Sequence, residues 1–366
     1  MSADAASTNI QCPSCGAGLK FDPSLQGFQC EYCGSKHGIK TEAAQAKEKD
    51  LNAAPKERGW DAKTESLNCN QCGATVSITG TSTGQCPYCG SNFVKVPKPR
   101  TDLIRPEDMI PFKLDKNKAE ALFDDWIGKG WFRPSDLKNL KKLENIKGVY
   151  VPFWTYDCNT HSTWTADAGY YYYETEHYTV HVNGKTEHRS RQVRKVRWVP
   201  ASGQRFGFYD DVLIVASKGL DRSMVEKIYP YRLGELVTYK PEFLTGWMAE
   251  EYSIDVKTGW TLAQDKVMGS ERSMCSRDVP GDTQRNLRVN TNFSNMTYKH
   301  VLLPLWIASY KYKEKLFHFM VNGQTGKVEG QKPWSVIKIT LFVIAMTLLA
   351  AGIGVGLYLL SFYGYI

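Results

Sequence analysis

After Cys89 the chain has almost no cysteine: eight of its ten fall in the first 90 residues, and only Cys158 and Cys275 follow. The last 28 residues, Ile339 to Ile366, lack any charged side chain. The first ten, Met1 to Ile10, lack the basic stretch and apolar core of a secretory signal. No GxSxG, HExxH or GxGxxG occurs. Gly184-Lys185-Thr186 resembles the end of a Walker A loop, but position 179 is Thr where that pattern needs Gly. These absences exclude a secreted disulfide scaffold and an ordinary soluble enzyme, and no enzymatic activity is expected. With no signal, the two sequons at Asn292 and Asn295 carry no glycosylation meaning.

What is present falls into distinct blocks. The 366 residues, 42% hydrophobic and 23% charged, are enough for two or more folded units. In a reducing cytoplasm, paired cysteines read as metal ligands. Cys12-Pro-Ser-Cys15-Gly and Cys30-Glu-Tyr-Cys33-Gly form one such set, and Cys69-Asn-Gln-Cys72-Gly and Cys86-Pro-Tyr-Cys89-Gly form another. Two thiolates three positions apart grip one side of a tetrahedral ion, and the glycine lets backbone turn beneath the sulfurs. The expectation is two structural Zn2+ ions, one per set, each closed by four thiolates; iron is the rival metal. Cys-Gly-Ala follows the first knuckle in both sets and Gln-Cys-x-Tyr-Cys-Gly-Ser closes both, so the sets are copies of one unit. His37, just past the first set, reads as a solvated loop residue. Cys158 and Cys275 read as buried small hydrophobes.

The C-terminal run is long enough for a single membrane span. Trp334 precedes it, and Tyr358, Tyr363 and Tyr365 lie near its end, as at two interfaces. Lys327, Lys332 and Lys338 come before it and no Lys or Arg comes after, which places the N-terminal bulk in the cytoplasm. Gly352 and Gly356 have helix-packing spacing, which ordinary membrane helices also tolerate.

The expected fold is multidomain: two N-terminal four-cysteine zinc ribbons, a β-rich α+β cytoplasmic domain and one C-terminal transmembrane helix. The units are ribbon 1 at 1–40, a linker at 41–66 with a helical piece at 43–52, and ribbon 2 at 67–97. A helical connector at 98–146, the β-rich domain at 147–333 and the membrane helix at 334–362 complete the chain. Asp115 predicts a helix N-cap ahead of Ala119, Leu122, Phe123, Trp126 and Ile127, and a shorter helix runs from Ser135 to near Asn145. Asn183-Gly184 and Asn322-Gly323 predict hairpins, and a helix is expected within Ile254–Met268. Val149-Tyr-Val-Pro-Phe-Trp154 matches Val301-Leu-Leu-Pro-Leu-Trp306, which suggests pseudo-symmetric halves; proline in each implies an edge strand or a bulge.

Charge is concentrated in Lys185 to Arg197, with six Lys/Arg against one Glu, a net +5 of the chain's +8. Arg189, Arg191, Lys195 and Arg197 fall on one strand face and are the candidates for an anionic partner, membrane lipid or nucleic acid. The bland reading is a solvated face matched by Glu174 and Glu176 on the neighbouring strand. His161, His177, His181 and His188 read as solvated strand residues rather than a second metal site, and Asp210-Asp211 as a turn.

The order of motifs carries a resemblance across nearly the whole chain. Duplicated CxxCG ribbons are followed by Gly148 to Tyr156 (GVYVPFWTY), Leu303 to Trp306 (LPLW), Val321 to Val328 (VNGQTGKV) and a terminal apolar helix. This resembles the bacterial zinc-ribbon membrane proteins sometimes labelled primosomal or helicase-like; with no helicase motif present, that label is set aside. Relatives are encoded beside flotillin-like (SPFH) and phage-shock-protein-A-like proteins. The resemblance implies an inner-membrane adaptor that recruits such partners in envelope stress, and it carries over no catalytic residue. A membrane-tethered nucleic-acid binder is the alternative.

Overall fold

The computed structural model describes residues 10–39, 41–44, 48–53, 65–78, 86–89, 91–92, 94–95, 103–139, 146–182, 185–313 and 315–363. The first cysteine set lies on β1 (Leu19–Asp22), β2 (Gly27–Cys30) and β3 (Lys36–Gly38), an antiparallel sheet of its own. After β4 (Lys49–Asp50), the second set is carried by β5 (Glu65–Asn68), β6 (Thr75–Ile78) and β7 (Val94–Lys95). Then come β8 (Asp108–Met109), α1 (Lys116–Gly128), and two very long strands, β9 (Lys147–Val182) and β10 (Lys185–Val215). The chain continues through α2 (Arg222–Lys227), β11 (Val237–Thr238), β12 (Met248–Glu250), α3 (Val256–Asp278), β13 (Thr283–Tyr312), β14 (Lys315–Asn322), β15 (Val328–Gly330) and α4 (Val336–Phe362). The body is thus β-rich α+β, with an apolar C-terminal helix long enough to cross a membrane.

One large sheet organises the molecule, with β11-β8-β13-β9-β12-β6-β5-β7 along its path and β10 and β14 flanking β9 and β13. The two matched proline segments lie against each other: Tyr150 faces Pro304, and Pro152 faces Leu302. Their surroundings match as well. β12 runs parallel to Val149–Tyr150, and β8 runs parallel to the equivalent Val301–Leu302. The halves are therefore related by a pseudo-two-fold axis between β9 and β13. The expected edge or bulge at the prolines is not what the fold uses. Both lie in interior strands, where one neighbour ends and the next begins. Pro152 O accepts from Ala216 N, just past β10, and Pro304 O accepts from Gly323 N, just past β14. In a strand a residue's N and O point the same way, so the missing N–H of each proline faces a changeover that has no ladder bond to lose.

At this base both sheet faces are covered, which is why the sequence there is almost continuously apolar. Val149, Val151, Phe153, Val301, Leu303 and Leu305 pack on one side. Tyr150, Trp154, Tyr156, Leu302 and Trp306 pack on the other. Further along β9 only one face is covered. Cys158, Thr160, Ser162, Trp164, Ala166 and Ala168 are buried, while the residues between them are half-buried or exposed. The cover is α3, which buries Trp260, Ala263, Val267, Glu271 and Cys275 at helical spacing. Asp255 caps it by accepting from Lys257 N and Thr258 N. Helix α3 runs ten residues past the expected Met268, because the sheet it covers continues under it.

β13 begins opposite Gly169, so Tyr170–Val182 and Lys185–Arg197 form a two-stranded arm with no third strand among the described residues. From its base at Lys147, β9 has a contour length of about 115 Å at ~3.3 Å per residue. The expected Asn183-Gly184 turn lies outside the described residues, but the register, Val182 facing Lys185, leaves two residues between the strands. β14 and β15 pair as expected around Asn322-Gly323. Asp115 caps α1 by accepting from Lys118 N. The helix from Ser135 is a 3-10 turn ending at Asn139, and residues 140–145 are outside the described set. Of the helical piece expected at 43–52, none of the described residues is helical: Ala43 bridges Val237 and β4 pairs with β13, and residues 45–47 lie outside the described set.

Candidate metal centres and the basic arm

In each cysteine set all four sulfurs lie within 4.8 Å of one another. Cys12 and Cys33 Sγ are 3.6 Å apart, and Cys15 and Cys30 are 3.5 Å apart. In the second set, Cys69 and Cys89 are 3.3 Å apart, and Cys72 and Cys86 are 3.6 Å apart. A tetrahedron with metal–sulfur bonds of about 2.3 Å has edges of about 3.8 Å, so both groups fit one metal ion with a small outward shift. The backbone is already shaped for it. Gly16, Gly34 and Gly73 have φ of 74°, 75° and 74°. Each donates its N–H to the carbonyl of the knuckle's first cysteine, Cys12, Cys30 or Cys69, at 2.8 to 2.9 Å. Only that left-handed turn brings the second cysteine back under the first. The copies agree in detail: Cys12 N bonds Ala17 O as Cys69 N bonds Ala74 O, and Cys30 N bonds Ser35 O as Cys86 N bonds Ser91 O.

Their settings differ. The first site sits on its own small sheet, docked on the body through Phe21, whose ring meets Phe243 at 5.4 Å. Cys15 and Cys33 are exposed. His37 is not a free loop residue: it lies on β3, with Nε2 3.1 Å from Ser35 Oγ and 3.8 Å from Cys12 Sγ. The second site belongs to the large sheet, because β6 pairs with β12. Two buried carboxylates hold it there. Tyr88, inside the knuckle, donates to Glu250 Oε2 at 2.5 Å, and Ser217 donates to Glu250 Oε1 at 2.6 Å. Ser66 and Ser77 both donate to Glu251 Oε1. Burial pushes Glu250 up to about 7, against which the two hydroxyl donors act. The equivalent of Tyr88 in the first copy, Tyr32, is 86% exposed, whereas Tyr88 is 3% exposed. Nothing in the Gln-Cys-x-Tyr-Cys motif distinguishes the two; the partner is on β12.

The arm brings Arg189, Arg191, Lys195 and Arg197 to one face, opposite Tyr178, Glu176, Tyr172 and Tyr170 respectively. Acidic neighbours meet three of the four. Arg189 pairs with Glu187 at 2.9 Å, Arg191 with Glu176 at 3.1 Å, and Lys195 with Glu174. Arg191 also lies over the Tyr178 ring, and on the other face Arg194 lies over Tyr171 at 4.3 Å. His177, His181 and His188 share that other face with hydroxyl side chains. His161 lies nearer the body and stacks on Phe206 at 4.4 Å. Cys158 and Cys275 are both fully buried.

One cluster escaped the sequence reading. Glu48, Asp157 and Asp210 bring carboxylate oxygens within 4.8 Å of one another, beside Lys299, whose Nζ is 3.2 Å from Glu48. Asp210-Asp211 is not a turn but a bulge in β10, with Asp211 at φ 52°, and Asp211 N donates to Asp157. Burial and then Glu48 raise Asp157 to about 7. The three are far apart in sequence, and only the strand register joins them.

A Bacillus subtilis (strain 168) protein, the uncharacterized protein YdjG, is 27% identical to this chain over 333 residues, covering 90% of this chain and 92% of its own. No protein-family model matches the chain. No solved structure matches it.

Proposed function

We propose that the protein is a non-enzymatic, membrane-anchored adaptor that recruits cytoplasmic protein partners to a bacterial inner membrane. In this reading both cysteine sets hold Zn2+. Four thiolates fill the coordination sphere, so the metal fixes shape and leaves no open position for a water or substrate. The observation that carries the proposal is α4. It is 27 residues long, exposed along its length, and follows the sheet after a short link tied to the body. Arg133 lies over the Trp334 ring at 4.1 Å, and Phe132 meets Phe342 at 5.1 Å. An apolar helix with so little protein cover suits a lipid surround. The sheet then stands as a rigid platform on that anchor and presents the first ribbon and the arm. The partner class follows the resemblance: a flotillin-like or phage-shock-protein-A-like protein, in envelope stress. The nucleic-acid alternative draws on the arm, where carboxylates already answer three of the four candidate cations.

Deleting residues 334–366 tests the reading. The truncated protein and its partner are expected together in the soluble fraction of cells that hold both at the membrane when the chain is intact. A partner that stays on the membrane without residues 334–366 overturns the adaptor role.

A further inference from the structure

The duplicated cysteine units look interchangeable in sequence and are not so in the fold. In the second, the knuckle tyrosine Tyr88 is buried on Glu250, and Cys72 and Cys89 are half-buried. Its strands continue into the large sheet. Opening this site breaks sheet pairing and strips Glu250 of a hydrogen bond in a place water does not reach, so its opening is coupled to unfolding of the body. In the first, Tyr32 points into solvent, Cys15 and Cys33 are exposed, and the strands pair only among themselves. Opening it breaks no pairing of the large sheet; its ties to the body are the Phe21 and Phe28 side chains in the shared core and a few hydrogen bonds, among them Gln26 to Phe112 O and Trp247 to Phe21 O. Thiolate exposure also decides which sulfur an oxidant or a competing ligand reaches first.

We infer that the twin sites divide their roles: the Cys12/Cys15/Cys30/Cys33 site is an exchangeable, oxidant-responsive metal switch, and the Cys69/Cys72/Cys86/Cys89 site is a permanent clamp of the body. The inference rests on the reading of both sets as metal centres. The oxidant class is a peroxide. The exposed Cys33 thiolate attacks one peroxide oxygen, the O–O bond breaks, and hydroxide leaves, giving a sulfenic acid. The Cys12 thiolate, 3.6 Å away, attacks that sulfur. An S–S bond forms, the second oxygen leaves as hydroxide, and two electrons have passed from the two sulfurs to the peroxide. Joined in a disulfide, Cys12 and Cys33 would no longer serve as thiolate ligands, and Cys15 and Cys30 alone would hold a divalent ion too weakly to keep it. The ribbon hairpin then parts from the body at Phe21, giving up its ring contact with Phe243 and its hydrogen bonds with Thr245 and Trp247, while the large sheet stays intact. Thus metal occupancy at the first site alone would set whether that ribbon is presented to a partner.

The test uses the full-length protein in detergent micelles, with native mass spectrometry counting bound metal during hydrogen peroxide treatment and peptide mass spectrometry locating oxidised cysteines. The starting protein is expected to carry two ions; fewer than two overturns the metal-centre reading, and this inference with it. Given two, one ion should leave at least tenfold faster than the other, with oxidation confined to Cys12, Cys15, Cys30 and Cys33. Loss of both at one rate, or oxidation of the second set first, overturns the division. The Tyr88→Phe protein should lose its second ion at least threefold faster than the unaltered protein, and Tyr32→Phe should change neither rate. Equal second-ion rates in Tyr88→Phe and the unaltered protein overturn the clamp.

Discussion

His300 is fully buried, its ring 4.7 Å from that of Trp154 and 5.5 Å from that of Tyr252, with Nδ1 facing Ile104 O at 2.9 Å. Burial lowers its pKa to about 4 from the ordinary 6.5. The folded state therefore refuses a proton that the unfolded chain accepts between those values. The neutral ring's contribution is fully present above pH 6.5 and is lost as pH falls toward 4. From pH 7 to pH 5 this amounts to roughly 2 kcal/mol. In chemical denaturation the His300→Phe protein should lose less stability over that interval than the unaltered protein, by about that amount. Equal losses would show that the imidazole takes up its proton without unfolding pressure. This histidine was not singled out in the sequence, where His161, His177, His181 and His188 drew attention by clustering. Its signal was weaker but present: it directly precedes Val301-Leu302-Leu303, a run whose burial on both faces leaves no room for a charge.

At the scale of elements, α3 shows how a glycine's meaning depends on what faces it. A Cβ on Gly259 would lie 2.3 Å from Tyr156 Oη and 2.9 Å from the Trp154 ring. Both side chains are fully buried, and Tyr156 donates to Val256 O. A Cβ on Gly269 would meet nothing within 4 Å. Alanine is the better helix former by about 1 kcal/mol. Gly269→Ala should therefore stabilise the protein by about 0.5–1 kcal/mol, while Gly259→Ala should destabilise it by about 2 kcal/mol through overpacking. Thermal melts of the two variants check both signs at once. Much of the element plan was legible in the sequence. The caps at Asp115 and the knuckle spacing are local chemistry, and the terminal helix is a matter of length and polarity alone. The great length of β9, β10 and β13 was not legible, because one-sided burial beneath α3 looks the same as in any short strand. Nor was the fate of the prolines, which depends on where neighbouring strands stop. The second ribbon's place in the large sheet depends on Glu250 and Glu251, more than 160 residues from the knuckle they hold.

At the scale of the molecule, the arm stands apart from the packed body. Its described residues, Tyr170–His181 and Lys185–Arg197, are exposed or half-buried, and the pairing of β13 with β9 stops at Gly169. Two strands without a third or a covering layer contribute little to global stability. Replacing residues 172–195 with a two-residue turn should leave the melting temperature within about 2 °C of the full-length value. A drop of ten degrees or more would mean that the arm folds back on the body. If the arm serves recruitment, the shortened protein should remain at the membrane and lose its partner, which separates presentation from anchoring.

The pseudo-two-fold axis between β9 and β13 also governs the order in which the chain can be made. Neither half is a unit that closes on itself, since the principal neighbour of each matched segment is the other one, about 150 residues away. During synthesis β9 and β10 emerge as a hairpin with one long side open, and α3, which follows, covers a face of it without closing that side. The open side is filled only when β13 has left the ribosome. The next long element after β14 and β15 is α4, which goes to lipid in the reading above. Completion of the sheet and delivery of the anchor therefore fall at nearly the same moment of translation, and a chain that stalls before β13 exposes a long unpaired strand and lacks the helix that the reading above gives to the membrane.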